Sequence, residues 1–232
     1  MNPAQDPVLV VRDVHKTFGR TAALRGVSVS VQRGEMLAVM GPSGSGKSTL
    51  LHCMAGVFAP DSGSIEYVPG GSGDAPLRID TLGERERSEL RLTQFGFVFQ
   101  YGQLLPELTA VDNVALPLLM RGMQRAQARE RAASSLAALD LADVSGSRAE
   151  ELSGGQAQRV AVARAMVTEP AVLFADEPTG SLDSLSSETV LALMLDLVRS
   201  SGTTLVMITH DPRVAAYADR DVMVRDGRIG DR

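Results

Sequence analysis

Apolar positions in this chain form short runs separated by stretches of helical spacing. From Val8 to Val14 and from Ala22 to Val31 apolar residues alternate or run together with Thr and Ser between them, which predicts two strands joined by a turn at Phe18-Gly19-Arg20. Met36-Leu37-Ala38-Val39-Met40 is short and wholly apolar, as a buried strand requires, and Leu50 to Ala55 opens a helical pattern. After the turn signal Asp61-Ser62-Gly63, Ser64 to Val68 and Leu77 to Ile79 predict a strand and its return, with a glycine-rich surface tip from Pro69 to Asp74. Glu84 to Arg91 predicts a short helix laced with opposite charges.

Phe95 to Phe99 is a second buried-strand run, and Tyr101 to Pro106 a loop. Helical spacing returns from Thr109 to Met120, from Gln124 to Leu139 and after Gln156, and a long amphipathic helix is expected from about Leu185 to Arg199. Ala171 to Glu177 and Thr203 to Thr209 are apolar strands; Pro212 to Ala218 is helical, and Asp221 to Arg225, a turn at Asp226-Gly227 and Arg228-Ile229 finish the pattern. The expected fold class is α/β: a core with an antiparallel β subdomain near the start and an inserted helical subdomain. Approximate bounds are 8–99 and 168–232 for the core with its β subdomain and 100–167 for the helices, in one domain of 232 residues.

Composition narrows the setting. The apolar stretch from Ala110 to Met120 is interrupted by Asp112, Asn113 and Pro117, and no run reaches the roughly 20 residues that span a bilayer. Met1 to Pro7 lacks a basic region followed by an apolar one, so no secretory signal is expected. The single cysteine, Cys53, excludes an internal disulfide, fits a reducing compartment and falls on an apolar helix face, where a buried thiol is expected. A net charge of −5 argues mildly against a nucleic-acid partner.

The chemistry concentrates at Gly41-Pro42-Ser43-Gly44-Ser45-Gly46-Lys47-Ser48-Thr49, between a strand and a helix. This is the phosphate loop: glycines turn successive N–H groups into one concavity, Lys47 reaches the outer phosphates, Ser48 offers a hydroxyl to Mg²⁺, and the helix dipole faces the anion. Ala171 to Ala175 runs into Asp176 and Glu177, where a carboxylate can hold Mg²⁺ and its neighbour can orient the attacking water. Gln100 and His210 each end a strand, where ligand-contacting groups sit in open α/β sheets. Phe18 suits stacking on adenine or plugging the core edge, and Ser153-Gly154-Gly155 suits a phosphate at a helix N-terminus or a plain helix cap; the residues alone leave both pairs open.

With these residues laid out, the chain resembles the ATP-binding subunit of an ATP-binding cassette (ABC) transporter from about Val8 to Ile229. Walker A corresponds to Gly41 to Thr49, the Q-loop to Gln100, the signature to Leu152-Ser153-Gly154-Gly155-Gln156, Walker B to Val172–Asp176 with Glu177, the D-loop to Ser181-Leu182-Asp183 and the switch histidine to His210. The resemblance implies a head-to-tail dimer with ATP between Walker A of one copy and the signature helix of the other. It implies that Phe18 stacks on adenine and Lys47 binds phosphates, that Ser48, Gln100 and Asp176 serve Mg²⁺, and that Glu177 polarises water. By the same likeness His210 holds the γ-phosphate, Asp183 communicates between the two sites, and a separate membrane permease is driven from the cytoplasmic face.

Phe95 to Gln100, Leu104 to Ala110, Asp112-Asn113-Val114 and Asp176 to Gly180 most resemble the macrolide-exporter, lipoprotein-releasing and cell-division ATPase group. Phe18 stands where Tyr is commoner, Ser181 where Asn is usual and Ala157 where Gln or Glu is usual. The alternatives are an ABC ATPase working on ribosomes or DNA, expected to carry two cassettes or a long coiled coil, and a clamp that binds ATP without useful turnover, against which Glu177 and His210 argue.

Overall fold

The computed structural model describes residues 6–70 and 75–230; residues 71–74 of the expected glycine-rich tip lie outside them. Two compact units result, one of the described residues up to Arg91 together with those from Thr204 on, the other of Leu92–Thr203.

The first unit begins with β1 (Pro7–Phe18), β2 (Thr21–Gln32), β3 (Met36–Met40), α1 (Lys47–Met54), β4 (Ser62–Tyr67), β5 (Leu77–Arg78) and α2 (Glu84–Gln94). The chain passes into the second unit at Leu92, within α2, and continues as β6 (Phe95–Phe99), α3 (Ala110–Met120), α4 (Arg125–Ala137), α5 (Gly154–Met166), β7 (Val172–Asp176) and α6 (Ser184–Ser201). It returns to the first with β8 (Thr204–Ile208), α7 (Pro212–Ala215), β9 (Arg220–Arg225) and β10 (Arg228–Ile229).

In the first unit an antiparallel sheet has the order β2-β1-β4-β5. β1 and β2 run further than their apolar pattern, because mixed pairs such as Lys16 with Leu24 and Phe18 with Thr21 continue the ladder through backbone bonds. Phe18, expected at the turn, is therefore the last residue of β1. The predicted return strand is shorter than read: Ile79 leaves it for a single 3-10 turn.

β3 lies between β8 and β9, parallel to both, with Val39 opposite Ile208 and Val222. Its residues from Met36 to Val39 and all of β8 are buried, the pattern of parallel strands covered on both faces. α1 packs its buried Leu50, Leu51 and Met54 toward β8 and the β1–β2 hairpin.

In the second unit β6 and β7 pair in parallel, from Phe95 opposite Val172 to Phe99 opposite Asp176. Phe95 meets Phe174 edge-on at 5.2 Å and Phe97 stacks on Phe174 at 5.6 Å, a cluster in a chain holding only 6 Phe. Burying one such ring contributes about 2 to 3 kcal/mol. α5 lies directly on β6: a Cβ at Gly96 would stand 2.5 Å from Ala165 O. Around it, α3 starts at the Thr109 cap, and fully buried Asn113 holds the preceding loop, accepting from Leu105 N at 2.8 Å and donating to Leu105 O at 3.0 Å.

Candidate functional site: a phosphate loop and a cluster of strand-end side chains

Gly46 closes the phosphate loop as the N-cap of α1 at φ 104°, and Leu50 N donates to Gly46 O at 2.9 Å to start the helix. Glycine is required here for two reasons. The positive φ strains any L-residue, and a Cβ would stand 2.3 Å from Ala23 O of β2. Gly41, at φ 145°, is equally confined, with Val224 O of β9 2.1 Å from a Cβ. The loop is thus wedged between two strands, and a further bond from Gly227 N to Ser45 O (3.0 Å) braces its middle.

Lys47 is buried and folds back over the loop, donating to Gly41 O at 2.9 Å and Pro42 O at 2.8 Å. Ser45 Oγ is buried without a hydrogen-bond partner among the described residues. An unmet hydroxyl, a lysine and a helix N-terminus with no acidic residue in its first turn form a donor set that fits clustered phosphate oxygens. Ser43, Gly44 and Ser48 are exposed, and Thr49 half-buried, along the same turn.

His210 follows β8, exposed, just after buried Thr209. Thr209 N donates to Val39 O at 3.2 Å, so the histidine leaves the sheet at the end where β3 runs into Gly41. Asp211 then caps α7 by accepting from Arg213 N.

Phe18 is 44% exposed, with Phe58 edge-on to it at 5.4 Å and 72°. The Lys16 ammonium lies 5.5 Å from its ring centroid. Asp61 pins that end of β1, accepting from Lys16 at 2.9 Å and Thr17 N at 2.6 Å. The Lys16 hydrogen bond first, and the Thr17 amide second, hold the Asp61 carboxyl below its usual range. One residue after this brace, the Phe18 ring is left nearly half exposed.

In the second unit, β7 ends at Asp176 opposite Phe99, so Gln100 follows at the same end of the parallel pair. Glu177 turns the chain at φ 47°, a conformation uncommon for a residue with a Cβ, and Gly180 N closes the turn on Glu177 O at 3.0 Å. The turn brings side chains together: a Cβ at Gly180 would stand 3.1 Å from Gln100 Nε2 and 3.2 Å from Glu177 Oε2. Within this unit an amide carbonyl and a carboxylate, as Gln100 and Asp176 offer, are hard oxygen donors suited to Mg²⁺. Among the described residues no group of three or more His, Cys, Asp or Glu could hold a metal ion, whereas Mg²⁺ held through phosphates needs only one or two carboxylates.

Ser153 caps α5 in a capping box, its hydroxyl accepting from Gln156 N while Gln156 accepts from Ser153 N at 2.9 Å. Gly154 and Gly155 face the start of α6 closely, with Leu182 and Ser186 each 3.3 Å from where their Cβ atoms would be. Asp183 caps α6, and its bonds from Ser186 N and Ser186 Oγ hold its carboxyl below the usual range. The signature and D-loop residues therefore form one contiguous corner. The motif reading passed over two residues of α5, Gln158 and Arg164, which bond the Gln100 loop. The available signal was a polar side chain at Gln158, on the helix face that carries Ala161 and Ala165.

The profile of the ABC transporter family matches residues 24–180, more than half of the chain. The chain belongs to the ABC transporter family. The lipoprotein-releasing system ATP-binding protein LolD of Porphyromonas gingivalis is 40% identical over 227 residues, 96% of this chain and 98% of its own. LolD of Bordetella avium is 46% identical over 210 residues, 90% of this chain and 88% of its own. Among solved structures, the dimeric post-hydrolysis state of the ATP-binding cassette MJ0796 bound to ADP and Pi has a TM-score of 0.85 at 35% identity, covering 96% of this chain and 97% of that one.

The fold is accordingly that of an ABC ATPase, and the cassette is an ATP-binding and ATP-hydrolysing subunit. No helix among the described residues is long and apolar enough to cross a membrane.

Proposed function

We propose that this cassette powers a separate membrane permease, docked at the cytoplasmic face, by hydrolysing ATP between two head-to-tail copies. The observation that carries the hydrolytic half is the convergence of Gln100 and Glu177 side chains over Gly180, at the end of the strand that finishes in Asp176. In this reading the phosphate loop residues Gly41 to Thr49 cradle the triphosphate, Phe18 stacks on adenine and Lys47 exchanges its loop carbonyls for phosphate oxygens. Ser48, Gln100 and Asp176 would hold Mg²⁺, which when bound would supply positive charge against the phosphates. Glu177 accepts a proton from the attacking water as that water adds to the γ-phosphorus, His210 donates to the γ-phosphate, and ADP leaves.

Ser153, Gly154, Gly155 and Gln156 of the second copy complete the site, with Asp183 passing the state of one site to the other. Closing around two ATP molecules and reopening after hydrolysis then works the permease through the Gln100 loop and the helices of 100–167. The LolD relatives support lipoprotein release as the class of work.

Glu177→Gln tests the chemistry. It should keep ATP affinity, accumulate a closed dimer seen by light scattering, and lower steady-state phosphate release by about 100-fold or more. Near-normal turnover removes Glu177 from the mechanism. Affinity purification of the tagged cassette from membranes should retrieve an integral membrane subunit; retrieval of ribosomes or DNA in its place overturns the permease reading.

A further inference from the structure

Gln158 lies within the first turns of α5, and only 2% of it is exposed. Its side-chain amide donates to two backbone carbonyls at once, Phe99 O at 2.8 Å and Pro178 O at 2.7 Å. The first belongs to the residue before Gln100 and the second to the residue after Glu177. An amide has two hydrogens on its nitrogen, and both are used. Asparagine at this position would be one methylene short, and serine would offer a single hydrogen.

α5 takes hold of the same loop at its far end. Arg164 donates to Gly102 O at 2.8 Å and to Gln103 O at 2.9 Å, fixing a loop whose Gln103 is held at φ 47°. From the other side Ser181 Oγ donates to Gln100 O at 2.5 Å. Four of the five carbonyls from Phe99 to Gln103 are thereby tied, and what projects from the clamp is the Gln100 side chain and Tyr101, 74% exposed.

We propose that Gln158 is a positioning residue that makes the signature helix and the two loops bearing Gln100 and Glu177 a single mechanical body. A displacement of α5 at Ser153-Gly154-Gly155 then carries both side chains with it, because neither loop can lag without stripping a buried amide of a partner. The functional half of this inference rests on the hydrolytic roles proposed above for Gln100 and Glu177. The clamp itself does not.

The test uses the full chain with Gln158→Met, which keeps an unbranched side chain and removes both donors, and Gln158→His, which restores one. Hydrogen exchange is read at Gly102 N–H, which donates to Phe99 O at 3.1 Å, and at Gly180 N–H, which donates to Glu177 O at 3.0 Å. Both amides should exchange about tenfold faster in the Met variant and by less in the His variant, with Leu50 N–H of α1 unchanged. ATP affinity should stay within about twofold while kcat falls about tenfold or more, since loss of placement by as little as 1 Å can cost about 100-fold.

Unchanged exchange at either loop overturns the clamp. Faster exchange at both loops with an unchanged kcat overturns its functional half. Full turnover in Glu177→Gln would instead defeat the hydrolytic reading and leave the exchange result to decide the clamp. Should the Met variant lack native circular dichroism, the His variant is judged against wild type by the same criteria.

Discussion

Gly44 and Gly46 form a matched pair within one loop, and exchanging each for alanine separates two costs that are usually confounded. Both sit at positive φ, 76° and 104°. Around Gly44 nothing lies within 4 Å of an added Cβ; at Gly46 the Cβ would stand 2.3 Å from Ala23 O and 3.3 Å from Leu24 Cδ2. Placing an L-residue in left-handed backbone costs about 1 to 2 kcal/mol, and the stiffer unfolded chain returns about 0.4 to 1 kcal/mol. Gly44→Ala should therefore destabilise by about 1 kcal/mol.

Gly46→Ala bears the same penalty plus an overlap with a backbone oxygen of β2, which no rotamer change can relieve. Overpacking of this kind costs about 1 to 3 kcal/mol more. The difference between the two variants, about 2 kcal/mol, corresponds to about 4 to 8 °C in melting temperature for a chain of this size. Scanning calorimetry reads it, and titration calorimetry with ATP should show Gly46→Ala weakened by about tenfold as the loop shifts off the strand. Equal melting temperatures, or a larger loss at Gly44, would refute the claim that close approach to β2 is what demands glycine at Gly46.

Asp61 supplies a pH signature. Its folded carboxyl titrates below the usual 3.8, so the stability it adds is fully present above that pH and disappears as pH falls through the folded value. Asp61→Asn should thus differ from wild type above pH 3.8 and converge with it in stronger acid, and an ordinary midpoint for Asp61 in an NMR titration would refute the brace on Lys16 and Thr17. Cys53 is wholly buried, and burial pushes its thiol up to about 12. At pH 8 a disulfide reagent should label it only as the chain unfolds; prompt labelling of native protein would contradict the packing of α1.

The buried strands were the most legible elements, since Phe95 to Phe99 is an unbroken apolar run and appears as β6 with the same limits. β1 and β2 exceed their apolar pattern because their far ends are held by backbone pairing in which each pair has at least one polar member, which breaks the alternation. The site residues are legible one by one through their motifs. Their conformations are not: nothing in Asp-Glu-Pro announces that Glu177 lies at φ 47°, and nothing in the Gly180 position tells that Gln100 and Glu177 converge there. Gln158 was passed over because its partners are carbonyls of chain segments 59 and 20 residues away, visible only once strands and helix are stacked.

The seating of the phosphate loop has a consequence for synthesis. Gly41 is confined by Val224 O, and Gly227 both bonds Ser45 O and lies 2.7 Å, counted from where its Cβ would be, from Ala23 O. A ribosome that has made the loop and its helix must still add the rest of the chain, to the final hairpin, before those supports exist. Until then the loop lacks these contacts, and a protein cut before the turn at Asp226-Gly227 would lose the Gly227 brace while keeping every motif residue.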